Sequence, residues 1–195
     1  LFPAAQELGT NLAAAPSMAI AKELLWMAPA LLAAIAGWRD LRTRRIPNWL
    51  TVPGLGLGIV LNSILGGWAG AKDSLLGASL GLGILLPFVL IRSLGAGDWK
   101  LVGALGAFLG PDHLIVVLMA TIMVAGVMAL ILVIWKHRIR QTARNIARMF
   151  RAFFTFHLPG PELSLDDPEA LKIPFGVAVA IAVLLYAAAH ARGVA

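Results

Sequence analysis

Residues 73–110 read DSLLGASLGLGILLPFVLIRSLGAGDWKLVGALGAFLG, and their pattern decides the fold. An apolar run over about 73–94 leads into Gly95-Ala-Gly97-Asp98-Trp-Lys100. Another run, about 99–110, follows without a gap and closes at Gly110-Pro111. A helix needs about 20 apolar residues to cross a bilayer. The first run is that long. The second is short and reads as a tilted or partly re-entrant segment. Asp98 stands between them, where an ionisable group is costly and by default functional.

Four more apolar segments lie outward from this stretch: about 18–38 with a kink expected at Pro29, a glycine-rich one at 49–69, then 113–135 and 173–190. Hydrophobic residues make up 59% of the chain, charged residues 13%, and the mean hydropathy is +0.85. A soluble domain carries about 25% charged residues. The expectation is an all-α integral membrane protein, a polytopic bundle of about six transmembrane helices forming one domain over 1–195. Residues 1–16 read as a flexible lead. The first apolar run is followed by basic residues rather than preceded by them, unlike a cleaved signal peptide. The absence of cysteine excludes disulfides, thiolate zinc sites and cysteine nucleophiles.

Thirteen of the sixteen Lys and Arg residues fall at 39–45, at 92 and 100, at 136–151 and at 172. With six spans, all four clusters lie on one side, which the positive-inside rule makes cytoplasmic. Both termini then lie outside. A second aspartate, Asp40, opens Asp-Leu-Arg-Thr-Arg-Arg-Ile-Pro-Asn (40–48) at the end of the first span. Asp40 and Asp98 therefore share the cytoplasmic face, the condition for their meeting. The net charge of +6 hugs the membrane, so it reads as topology and contact with anionic lipid, with no nucleic-acid partner. In 136–154, Ile139, Ala143, Ile146, Phe150 and Phe153 form one stripe, and Arg140, Arg144, Arg148 and Arg151 another. This reads as a basic amphipathic helix in the interface. A cytoplasmic loop with prolines and acids is expected over 155–171.

Most glycines, such as Gly54, Gly58, Gly77, Gly81, Gly103 and Gly106, read as close-packing positions between helices. Gly95 and Gly97 read instead as torsionally free links that aim Asp98. Asn62 and Ser63 read as inter-helix hydrogen-bonders. The six tryptophans fall mostly near span ends, as in an aromatic belt. Gly77-Ala-Ser79-Leu-Gly81 matches GxSxG, but no histidine is placed to partner the serine. His113, His137, His157 and His190 show no ligand spacing, so neither metal nor cofactor is expected.

Two carboxylates held close cannot both ionise cheaply and share one proton near neutral pH. One then activates water and the other protonates the carbonyl oxygen, as in aspartic proteases. Competing readings are interfacial anchors paired with arginines and a proton-coupled transporter. A transporter would carry its carboxylates near the midplane, with an inverted repeat. Here both sit at one edge and no repeat is visible.

Gly95-Ala-Gly97-Asp98-Trp-Lys100 resembles the GxGDxK signature of type IV prepilin peptidases, membrane aspartic proteases of the GxGD kind. Asp40 with its following Arg-Arg-Ile-Pro-Asn resembles that family's first catalytic aspartate, and Lys172-Ile-Pro174-Phe-Gly176 is similar to its last-span element. The motifs stand in the family's order and cover about 24–190. The resemblance implies that Asp40 and Asp98 are the catalytic pair. Lys100, Pro47, Asn48 and Pro174 match motif positions without an assigned step. It implies a substrate, a type IV or Flp-type prepilin or a pseudopilin precursor. Such a precursor is a membrane helix with a short basic leader, cut after a glycine at the cytoplasmic surface of the bacterial inner membrane. The basic residues 39–45 and Lys100 are then expected to meet an acidic residue of the precursor. Long family members carry an N-terminal Cys-x-x-Cys zinc insertion associated with methylation. This sequence has no such insertion and resembles the short form of tight-adherence (Flp) pilus systems. Peptidase activity without N-methyltransferase activity is therefore expected. A non-catalytic scaffold of a pilus assembly platform is the further alternative. The oligomeric state is left open.

Overall fold

The computed structural model describes residues 26–90, 94–137, 140, 142, 144, 147 and 174–192. Among them run four continuous helices and no strand: α1 (26–43), α2 (Asn48–Leu90), α3 (Ala96–Trp135) and α4 (Phe175–Ala191). The all-helical expectation is met, and α2 and α3 are each long and apolar enough to cross a membrane. The lead at 1–16, the loop at 155–171 and most of the amphipathic segment 136–154 lie outside the described residues. Positions 140, 142, 144 and 147 within that segment are helical.

Each long helix is broken at one glycine. Gly67 in α2 has φ 58° and ψ −141°, and Gly110 in α3 has φ 70° and ψ 176°. A Cβ would make these conformations strained, so glycine is the residue that permits them. At Gly67 the chain doubles back. Asn62 before it donates to the Ala107 and Phe108 carbonyls at 2.8 and 3.0 Å, and Ser74 after it donates to the same Ala107 carbonyl at 2.5 Å. Gly54 and Gly58 face Ala104 and Ala107, so the first arm of α2 runs parallel to the start of α3. Gly77 and Gly81 face Gly106 and Val102, so the second arm runs antiparallel to it. α1 is antiparallel to α4, with Gly37 against Ala180 and Trp26 stacked on His190. With four helices and two breaks, the described backbone forms six helical rods.

The rod before Gly110 is the short one the sequence marked at 99–110. Every residue from Leu101 to Gly110 is buried. A helix apolar on all faces belongs inside a bundle, and this one is surrounded by protein. Its neighbours come in over glycine: a Cβ on Gly77 would collide with the Gly106 carbonyl, and one on Gly106 with the Gly77 carbonyl. Leu32, Ala33 and Ala36 of α1, Leu101 to Leu109 of α3, and Val179, Ala182 and Val183 of α4 complete the core. The outer surface is apolar, with Ile64, Met123 and Leu90 each more than 70% exposed. An apolar exterior of this extent calls for a non-aqueous neighbour.

Asn62 is an inter-helix hydrogen-bonder as expected. Ser63 is not: its hydroxyl returns to the Ile59 carbonyl one turn back in its own helix, a common bond for a serine within a helix. Ser79, the serine of the GxSxG match, is exposed, while Gly77 and Gly81 on either side are buried against α3.

Candidate active site

α1 ends at a turn in which the Arg44 N–H donates to the Asp40 carbonyl at 2.9 Å and Arg44 itself adopts φ 50°. The chain then crosses through Ile46 and Pro47 into α2, whose first turn closes on the Pro47 carbonyl through the Leu50 and Thr51 N–H groups. Ile46 is buried. It is a wedge between two chain segments, because a Cβ on Gly97 would press its backbone and one on Gly176 would press its side chain. Asp40 and Asp98, the two aspartates singled out in the sequence, meet around this wedge. Both line one cavity of about 280 Å³ with Arg44, Arg45, Ile46, Gly95, Ala96 and Gly97.

The two carboxyls have different surroundings. Asp40 is 7% exposed, and its Oδ2 accepts the Gly176 backbone N–H at 2.9 Å. Gly176 lies in the first turn of α4, behind the N-cap Pro174, where unpaired N–H groups favour negative charge. Asp98 sits just ahead of the apolar run 99–110. Its Oδ1 is buried with no hydrogen-bond partner among the described residues.

The remaining motif residues form the frame. Lys100 Nζ donates to Asn48 Oδ1 at 3.0 Å, and Trp99 Nε1 donates to the Leu82 carbonyl at 2.7 Å, fixing the first turn of α3 on both sides. Pro174 opens α4, its carbonyl accepting from Val177 and Ala178. Lys172 lies outside the described residues. Of the basic residues 39–45, Arg44 and Arg45 line the cavity. Arg42 instead lies over the Trp38 ring at 4.5 Å.

One expectation is corrected. Gly95 has φ −69° and ψ 139°, which any residue adopts, and Gly97 lies within the helix. Neither supplies unusual torsions. What they supply is the missing Cβ: on Gly95 it would sit 3.0 Å from Asp98 Oδ2, and on Gly97 it would push into Ile46. Two contributors went unassigned in the sequence, Ile46 and Gly176. Both stand inside motifs quoted above, and that was the signal available for them.

His113 and His190, which show no ligand spacing in the sequence, meet at the opposite end of the bundle. Their rings lie 6.3 Å apart around Trp26, and His113 Nδ1 is 2.7 Å from the Tyr186 hydroxyl. Among the described residues no group of three His, Cys, Asp or Glu could hold a metal ion.

Fold and site together define a class, apolar helical bundles that carry a pair of aspartates in one cavity at one end, one of them buried and the other partly so. The chain belongs to the type IV leader peptidase family, whose profile it matches over residues 27–130. That stretch contains both aspartates and ends before α4. Among curated proteins, the chain is 33% identical to a prepilin leader peptidase/N-methyltransferase of Aeromonas hydrophila over 105 residues, covering 50% of this chain and 36% of the relative. It is 31% identical over 106 residues to the protein of that name from Neisseria gonorrhoeae, covering 51% and 37%. The corresponding match from Xanthomonas campestris pv. campestris is 34% over 110 residues, covering 53% and 38%. The chain thus aligns with little more than a third of the length of these relatives. No solved structure matches it significantly.

Proposed function

We propose that this chain is a membrane-embedded aspartic endopeptidase that removes the basic leader from type IV or Flp-type prepilins and pseudopilins. The observation that carries the reading is that Asp40 and Asp98, from separate helices, line one cavity within the family-matched stretch. In this reading each of the six rods crosses the bilayer. The alternation of their directions supports the scheme, because it leaves the aspartates and Arg39 to Arg45 together at the cytoplasmic surface of the bacterial inner membrane. Trp38, Trp49 and Trp135, each more than half exposed, fall near that end, and Trp68 near the other.

Water enters the cavity between the carboxyls. One carboxylate takes its proton as the oxygen attacks the scissile carbonyl, and the partner acid protonates the carbonyl oxygen. No metal enters this scheme. Methyl transfer stays outside the proposal, since the 195 residues hold no cysteine with which to build the paired Cys-x-x-Cys element.

The test is co-expression with a tagged Flp-type prepilin, comparing wild type, Asp40→Asn and Asp98→Asn at equal membrane levels. The expected result is a size shift with wild type that neither variant produces. Cleavage surviving either substitution overturns the dyad. No cleavage of any pilin or pseudopilin precursor moves weight to a transporter or a non-catalytic assembly scaffold.

A further inference from the structure

Asp40 and Asp98 enter the cavity from different electrostatic settings, and the difference decides how they divide the reaction. Both carboxyls stand at helix starts, Asp40 against the first turn of α4 and Asp98 within the first turn of α3, but only Asp40 receives a directed backbone N–H, from Gly176 to Oδ2 at 2.9 Å. Such a donor stabilises a carboxylate more than the neutral acid, because its bond to the ionised form is charge-assisted. Asp98 Oδ1 is buried and receives no donor among the described residues. A buried carboxyl oxygen without a donor favours the neutral acid. The charged groups lining the cavity complete the contrast. Arg44 and Arg45 come from the loop that follows Asp40, whereas the α3 segment Gly95–Asp98 brings no cation.

We infer that the pair is asymmetric by construction: Asp40 holds the negative charge, positioned by the Gly176 N–H, and Asp98 holds the shared proton. This rests on the peptidase reading and deepens it. Asp40 is then the base. It takes a proton from water as the water oxygen bonds to the scissile carbon, and Asp98 gives its proton to the carbonyl oxygen. A gem-diol results, with Asp40 now protonated and Asp98 ionised. Asp40 next passes its proton to the departing amide nitrogen as the C–N bond breaks. Asp98 recovers a proton from one gem-diol hydroxyl, leaving a carboxylic acid and an amine. The pair returns to its starting state with one water consumed.

The role of Gly176 follows from the same contact. A Cβ there would lie 3.0 Å from Asp40 Oδ2, 3.1 Å from Asp40 Cβ and 3.0 Å from Ile46 Cδ1. Glycine lets the carboxylate come down onto the helix end. Gly176 is a positioning residue, acting on substrate only through Asp40.

The experiment is a pH titration of the full chain in lipid nanodiscs, with aspartate labelled with carbon-13 at the carboxyl and resonances assigned by Asp40→Asn and Asp98→Asn. The expected result is that the wild-type carboxyl missing in Asp98→Asn has its midpoint more than about one pH unit above the carboxyl missing in Asp40→Asn. Equal or reversed midpoints overturn the inference. Gly176→Ala is expected to move the Asp40 midpoint, and the acid limb of cleavage, to higher pH, with the alkaline limb in place. A normal acid limb in that variant overturns the role of Gly176. Should the variant not fold, the wild-type titration still decides the asymmetry. The same preparation is assayed on a prepilin. Cleavage with reversed midpoints defeats this inference alone, whereas correct midpoints without cleavage defeat the peptidase reading alone.

Discussion

Lys100 Nζ donates to Asn48 Oδ1 at 3.0 Å, so the first turn of α3 holds the first turn of α2 across 52 residues of sequence. The bond joins two elements that border the cavity, since Asp98 lies two residues before Lys100 and Ile46 two residues before Asn48. It gives two motif positions a shared structural task.

Lys100→Met and Asn48→Leu are each expected to lower kcat/KM on a prepilin about fivefold. An exposed hydrogen bond from a cation is worth about 1 kcal/mol, and 1.4 kcal/mol is tenfold. The double variant is expected to lose no more than either single one, because both remove the same bond. Losses that simply add would show that the two residues act separately.

The cavity sets the pH response. In the proposed dyad Asp98 holds the shared proton beside Asp40, and once that proton is lost the pair carries two charges and no acid remains to protonate the carbonyl oxygen. Cleavage is therefore expected to fall toward alkaline pH as Asp98 loses its proton, and to fall again on the acid side once Asp40 is also protonated. kcat/KM measured against pH in nanodiscs checks this. A rate still climbing at pH of about 9 would contradict it.

The reversal inside α2 depends on one backbone conformation. No atom lies within 4 Å of a Cβ built on either Gly66 or Gly67, yet only Gly67 has positive φ, at 58°. Gly67→Ala is expected to destabilise by about 1–3 kcal/mol through backbone strain alone. Gly66→Ala, in helical backbone, is expected to be neutral or mildly stabilising. Thermal unfolding in a fixed detergent compares the two, and equal effects would place the turn elsewhere.

What could be read from the chain follows from which signals are local. Apolar run lengths and the sidedness of arginine are local, so the placement of Asp40 and Asp98 on one face was legible before any coordinates. The break at Gly110-Pro111 was legible too, because proline and glycine punctuate a helix wherever they fall. The second reversal was expected between residues 69 and 73 but occurs at Gly67. Gly66, Gly67 and Gly70 all suit a turn by composition, and only the packing of Asn62 and Ser74 on Ala107 selects among them. Contacts across the bundle left no mark in the run of residues. Ile46 is one apolar residue in a basic loop, and nothing near it in sequence reveals that Gly97 and Gly176 close on it. The role given to Gly95 failed for a related reason, since composition cannot tell a glycine kept for torsion from one kept for room.

The glycines between the second arm of α2 and the buried rod of α3 provide the sharpest test of how the site is carried. Gly77 and Gly106 face each other so closely that a Cβ on either would strike backbone of the other, including its carbonyl. Backbone cannot swing aside as a long side chain can, so substitution must separate two rods that also border Trp99 and Asp98 through Leu82. Gly77→Ala and Gly106→Ala are each expected to destabilise by about 1–3 kcal/mol and to reduce cleavage with it. Gly83→Ala, on the same arm as Gly77, and Gly56→Ala, on the first arm of α2, both face open space; they are the controls and are expected to leave stability and cleavage unchanged. Unfolding midpoints and prepilin cleavage measured on the four variants separate contact from composition. Tolerance at Gly77 and Gly106 equal to that at Gly56 and Gly83 would mean that the rods are not held this close in the membrane.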